Sequence, residues 1–145
     1  ADGNIWVSSR IEPTQIPHVN PKDFLDDAIT KVSPDGEILF QRSIAQVFLK
    51  QGLPYHVYGR DGYSNDPMHL NDIQPVNFDG PYWKKGDVVL SLRTNSIIAI
   101  YRPSEDRIVW FKEGPWNHQH DVDVLDDHRI SVFDNNAGAL RVGPL

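Results

Sequence analysis

The strongest constraint on the fold is a recurring octet in which a short turn runs into alternating apolar residues and stops on a charged or amide group. Gly3-Asn4-Ile5-Trp6-Val7-Ser8-Ser9-Arg10 lines up with Gly86-Asp87-Val88-Val89-Leu90-Ser91-Leu92-Arg93, and His128-Arg129-Ile130-Ser131-Val132-Phe133-Asp134-Asn135 fits the same template. Alternation with a period of two marks a β-strand. Each octet is followed by a second kind of segment, Ala28–Pro34, Ile97–Pro103 and Gly138–Pro144, stopped by a proline that has no N–H to give to a ladder. Glu37–Phe40 and Arg107–Phe111 then follow the turns Pro34-Asp35-Gly36 and Pro103-Ser104-Glu105-Asp106. Two further strands open on His69 and His120 and precede the second and third octets.

Spacing turns these segments into units. The histidine-led strands lie 51 residues apart (69 to 120) and the octets 42 apart (87 to 129), so the middle unit carries nine extra residues. These are Asn77 to Lys85, rich in Gly, Pro and aromatics, and they read as a long loop. A period of about 40 to 45 residues with four short strands per unit is the signature of a β-propeller blade. The expected fold is all-β: a propeller segment of about three four-stranded blades. Residues 1–41 form a blade lacking its first strand, 66–112 a complete blade, and 113–145 one lacking its fourth. Between the first two, residues 42–65 insert a helix and a loop. Ser43 to Gln51 carries the only helical pattern, with Ser43 as cap, Ile44, Val47 and Phe48 at helical spacing, and Gly52 as stop. Arg10 to Asp23, with Pro13, Pro17 and Pro21, reads as an extended surface loop.

The strand inventory carries a further expectation. A chain that enters at a second strand and leaves after a third is part of a larger propeller, closed by remaining blades or by self-association through open edges. On that reading the segment alone is inactive or nearly so.

Composition narrows the chemistry. With no cysteine there is no disulfide framework and no thiolate nucleophile, so His, Arg, Asp and Glu remain. The formal net charge is −6 and the cations are scattered, which argues against a nucleic-acid surface. No apolar run reaches the roughly 18 residues that span a bilayer.

In a propeller, residues at the start of a first strand and at the end of a second converge at one face. His69, Asn71, Arg93 and His120 are expected to meet there, with Arg10 arriving from the preceding unit. Strand alternation would put His69, Asn71 and Ile73 on one face and set imidazole and amide side by side. Two imidazoles, an amide and a guanidinium suit an oxyanion with several equatorial oxygens. The plainer reading is that His69 and His120 cap strand ends and hydrogen-bond neighbouring blades.

Asp66-Pro67-Met68-His69-Leu70-Asn71-Asp72, Leu90-Ser91-Leu92-Arg93, Gln119-His120-Asp121 and Phe133-Asp134-Asn135, taken in order, resemble the arylsulfotransferase family of six-bladed propeller enzymes. The likeness covers most of the chain. It implies a periplasmic or secreted sulfotransferase that needs no nucleotide cofactor and moves a sulfuryl group from an aryl sulfate to a phenol. By motif, His120 is implied as the residue that carries the group, with His69, Asn71 and Arg93 around it. The chain departs from the family pattern at Leu92-Arg93-Thr94, where the enzymes often show Ser-Arg-His, and an active-site histidine of an earlier blade has no counterpart.

Other candidates are weighed against this set. His118 and His120 stand at a spacing that holds zinc, and Asp121, Asp123, Asp126 and Asp127 invite calcium; alternation divides the first two aspartates from the histidines, and no metal is expected. Trp83 and Trp116 lie on loops assigned to the same face and are candidates to bind an aromatic acceptor, whereas Trp110 closes a fourth strand and is expected to pack between blades. A non-catalytic propeller that binds a ligand or protein through the same face is the alternative.

Overall fold

Three antiparallel sheets, each a meander in chain order, make up the computed structural model, which describes residues 3–59 and 64–136. The first holds β1 (Ile5–Arg10), β2 (Asp27–Val32) and β3 (Ile38–Ser43). The second holds β4 (Leu70–Pro75), β5 (Val88–Leu92), β6 (Ile97–Arg102) and β7 (Arg107–Glu113), and the third β8 (His120–Val124) with β9 (Ile130–Phe133). No sheet closes on itself. The strand expected over 138–144 lies outside the described residues.

The middle sheet shows why these segments became strands. β5 and most of β6 are buried on both faces, which their near-continuous apolar runs require. Alternation then sorts the side chains. Leu90, Leu92, Ile97, Ala99 and Tyr101 enter a core shared with Ile29 of β2 and with Ile44 and Phe48. Val89, Ile98 and Ile100 face the opposite way, into a second core with Val122 of β8 and Trp83. β4 lies between its neighbours, against β1 on one side and β8 on the other.

Ser43 belongs to two elements at once. It ends β3, three residues beyond the expected Phe40, and caps α1 (Ile44–Lys50): its Oγ accepts from the Gln46 N–H at 3.1 Å and donates to Asp26 Oδ1 at 2.5 Å. Gly52, at φ +74°, takes the left-handed turn that ends the helix. A second helix, α2 (Tyr55–Tyr58), follows Pro54 in a stretch that reads as loop from sequence. Trp110 also departs from expectation. It stands on the edge strand β7, 42 % exposed, while Ile108 and Phe111 are the residues of that strand packed in the core.

Candidate functional site

The start of β4 and the ends of β1 and β5 are drawn together by the pairing. Leu70 opposes Leu92, Arg10 opposes Asp27, and the Arg93 N–H donates to the His69 carbonyl at 3.1 Å. His69 is clamped there. Its backbone sits at φ +46°, a conformation uncommon for residues with a side chain. The next N–H, that of Leu70, donates to Asp27 Oδ2 at 2.8 Å, and the ring Nδ1 meets Asp66 Oδ2 at 2.5 Å.

The alternation expected over residues 69–73 fails at this point. His69 precedes the strand, and the register shifts between Leu70 and Asp72, so Asn71 is the extra residue of a bulge. Asn71 therefore does not stand beside His69 on a regular strand face. It reaches across to the third sheet, where its Nδ2 donates to the Gln119 carbonyl at 2.9 Å and lies 3.1 Å from His120 Nδ1. An amide N–H on Nδ1 leaves the proton of neutral His120 on Nε2. Asn71 Oδ1 is buried and has no hydrogen-bond partner among the described residues.

Gln119 sets the position of His120. It is fully buried, and its Nε2 lies 3.1 Å from Ser91 Oγ, 2.9 Å from the Ile97 carbonyl and 3.3 Å from that of Leu92. Asp72 adds a second anchor, accepting from the Val122 N–H at 2.7 Å. Burial pushes the Asp72 carboxyl above its ordinary value, helped by Asp121 and Asp123, against the pull of the Val122 N–H. The first ladder pairs, Leu70 with Leu92 and His120 with Phe133, make Leu70 the counterpart of His120. Gln119 thus takes the place that His69 holds in the middle sheet, one residue away from the correspondence that sequence spacing indicates.

Two groups join the set that sequence reasoning left aside. His118, weighed only as a zinc partner of His120, lies outside the strand at φ +53°. Its N–H donates to Ser96 Oγ at 3.3 Å, and its carbonyl accepts from Asn135 Nδ2 at 2.7 Å. Burial first, then the charges of Arg93 and His69, hold its imidazole below the ordinary value. Asp66 stood in the quoted motif without a role; an acid three residues before a histidine in a turn was the available signal. Arg10 reaches the edge through Asp27, with Nε 3.7 Å from Oδ1 and the side chain half exposed. Burial raises the Asp27 carboxyl, opposed by the Leu70 N–H, with Asp66 adding to the rise.

The tryptophans separate. Trp116 lies on the loop before β8, its Nε1 donating to the Ser96 carbonyl at 2.9 Å, so it borders the His118 edge with its polar atom committed. Trp83 does not. The insert that carries it joins the end of β4 to the start of β5, at the far end of the sheet from His69, and the indole is buried in the core between the second and third sheets. A cleft of about 870 Å³ between Trp6, Phe40, Lys84 and Asp87 lies at that same far end and contains none of the histidines. Asp126, Asp127 and His128 cluster closely enough for a cation, but Asp126 Oδ1 accepts from the N–H groups of His128 and Arg129, as in an ordinary Asx turn.

A family model described as arylsulfotransferase (ASST) matches residues 1–143. No curated protein and no solved structure matches the chain.

Proposed function

We propose that this chain, which belongs to the arylsulfotransferase family, moves a sulfuryl group from an aryl sulfate to a phenol through a sulfohistidine on His120. Its three sheets act as consecutive blades of a β-propeller whose first strands, β4 and β8, carry the reacting groups. The observation that carries the reading is the contact of Asn71 with His120 across two sheets, at the edge where Arg93 meets His69.

Attack by His120 Nε2 on sulfur needs a lone pair there and hence the proton on Nδ1. The structure holds the other tautomer, with Asn71 Nδ2 bonded to the Gln119 carbonyl and facing Nδ1, so attack requires the His120 proton to move from Nε2 to Nδ1 as the donor binds. The N–S bond forms as the S–O(aryl) bond breaks, and negative charge spreads over three sulfuryl oxygens. The Arg93 guanidinium, whose charge acts on His118 at this edge, is the donor for that charge. Arg10 extends the positive edge and Trp116 borders it. Trp83 serves the core.

The test is release of 4-nitrophenol from 4-nitrophenyl sulfate in the presence of phenol. Activity is expected in the wild type with its propeller closed, and loss of at least about 100-fold in His120→Ala. Unchanged turnover in that variant removes His120 from its role; donor binding without turnover in the wild type leaves a ligand-binding module.

A further inference from the structure

We infer that Asp66 is the positioning residue of an acid–base dyad with His69, and that Nε2 of His69 carries the proton of both phenols during transfer. The inference rests on the sulfuryl-transfer reading above and deepens it.

Four observations place the dyad. Asp66 Oδ2 lies 2.5 Å from His69 Nδ1, so a carboxylate holds the ring proton on Nδ1 and leaves the lone pair on Nε2. The ring is 39 % exposed, so that nitrogen is open to a ligand while Nδ1 is not. The backbone is fixed on both sides of the ring, by Arg93 N–H on the His69 carbonyl and by Asp27 on the Leu70 N–H, and the positive φ persists because these bonds hold it. Asp66 is fixed too: its N–H donates to Ser64 Oγ at 3.2 Å, and its Oδ1, buried and without a partner among the described residues, leaves the carboxylate committed to the imidazole.

The two histidines are thereby divided in tautomer. His120 receives an amide N–H on Nδ1, and His69 gives its Nδ1–H to a carboxylate. One ring faces an amide; the other keeps its Nδ1–H on the carboxylate throughout and gives and takes a proton at Nε2 alone. In the first half-reaction the S–O(aryl) bond breaks while N–S forms on His120. Protonated His69 gives its Nε2 proton to the departing phenolate and becomes neutral. In the second, the acceptor phenol passes its proton to Nε2 as its oxygen takes the sulfuryl group and the N–S bond breaks, which restores the imidazolium. No proton is gained or lost over the cycle.

Leaving-group dependence tests the assignment, because a nitrophenolate departs without protonation and an unsubstituted phenolate does not. In Asp66→Asn, kcat/KM for phenyl sulfate is expected to fall about 100-fold and that for 4-nitrophenyl sulfate by about 10-fold or less, with Asp66→Glu recovering part of the difference. An equal loss for both donors, or no loss, overturns the proton role. If Asp66→Asn does not fold, His69→Asn, a residue that tolerates the left-handed backbone, reads the same donor dependence. An independent arm needs no turnover: nitrogen-15 long-range correlations are expected to show Nδ1–H at His69 in the wild type and loss of that preference in Asp66→Asn. A neutral wild-type His69 with its proton on Nε2 and none on Nδ1 overturns the dyad. A wild type inactive toward both donors, with Nδ1–H present, overturns the transfer reading and the proton role while the dyad stands.

Discussion

Replacing Gln119 by Glu tests the join between the second and third sheets with a change of almost no volume. The wild-type Nε2 has two protons to give and points them among Ser91 Oγ and the carbonyls of Leu92 and Ile97, at 2.9 to 3.3 Å. The substitution puts a carboxylate oxygen where the NH₂ stood, facing two carbonyl oxygens in a fully buried setting. Loss of two hydrogen bonds alone costs roughly 1–3 kcal/mol, which is the expectation for Gln119→Ala before its cavity is counted. An unpaired buried charge raises the cost to about 3–5 kcal/mol. At about 2–4 °C per kcal/mol for a chain of this size, Gln119→Glu should melt roughly 6–20 °C below the wild type at pH 7.5. The introduced carboxyl has its folded-state pKa raised by burial, so its penalty is greatest above that value and shrinks as pH falls toward the unfolded value near about 4.3. Calorimetric melts at pH 7.5 and pH 4.5 decide the matter. A glutamate variant as stable as the wild type at pH 7.5 would mean that the amide does not donate to these carbonyls.

Asp87 is 1 % exposed and receives Arg102 in a two-pronged pair, Nε to Oδ1 and Nη2 to Oδ2, both at 2.8 Å. Burial pushes its carboxyl up, but Arg102 and the Lys84 N–H outweigh that and hold it below the ordinary value. Its contribution is present above the unfolded pKa near about 3.9 and is lost as pH falls through the folded value, so Arg102→Met should cost about 3–5 kcal/mol in urea melts at pH 7, with the gap narrowing below about pH 4. His118 should titrate below 6.5 by NMR, and Arg93→Met should move its midpoint upward; a depressed imidazole destabilises the native state as pH falls through the unfolded value, so an upward-shifted His118 in the wild type would refute the placement of Arg93 beside it.

Most strands were legible because their burial follows the chain's own period: Val88 to Leu92 and Ile97 to Tyr101 announce themselves by composition alone. The cap at Ser43 and the stop at Gly52 were equally plain, since hydroxyl and glycine act through local backbone geometry. What escaped was decided by non-local bonding. Nothing around Asn71 signals a bulge; the positive φ at His69 and the shift in register are sustained by Asp27 and Arg93, which lie far away in sequence. α2 is too short to show a period. The place of Trp83 was within reach, because a loop joining the end of one strand to the start of the next emerges opposite a histidine that begins the first and an arginine that follows the second. Its aromatic character drew the assignment instead of the strand order.

His120 rides on the smallest of the three sheets, and no backbone ladder ties that sheet to the next among the described residues. Gln119, Asn71 and Asp72 hold it by side-chain bonds alone, together with the core around Val122. On the proposed transfer through His120, catalytic competence would therefore be a reporter of docking. Gentle denaturant that loosens this seam would extinguish sulfuryl transfer while the circular-dichroism signal of the strands persists. A library scored only by turnover would then count Gln119, Ser91 and Asp72 among the reacting residues, although each would have failed by letting one sheet drift from another.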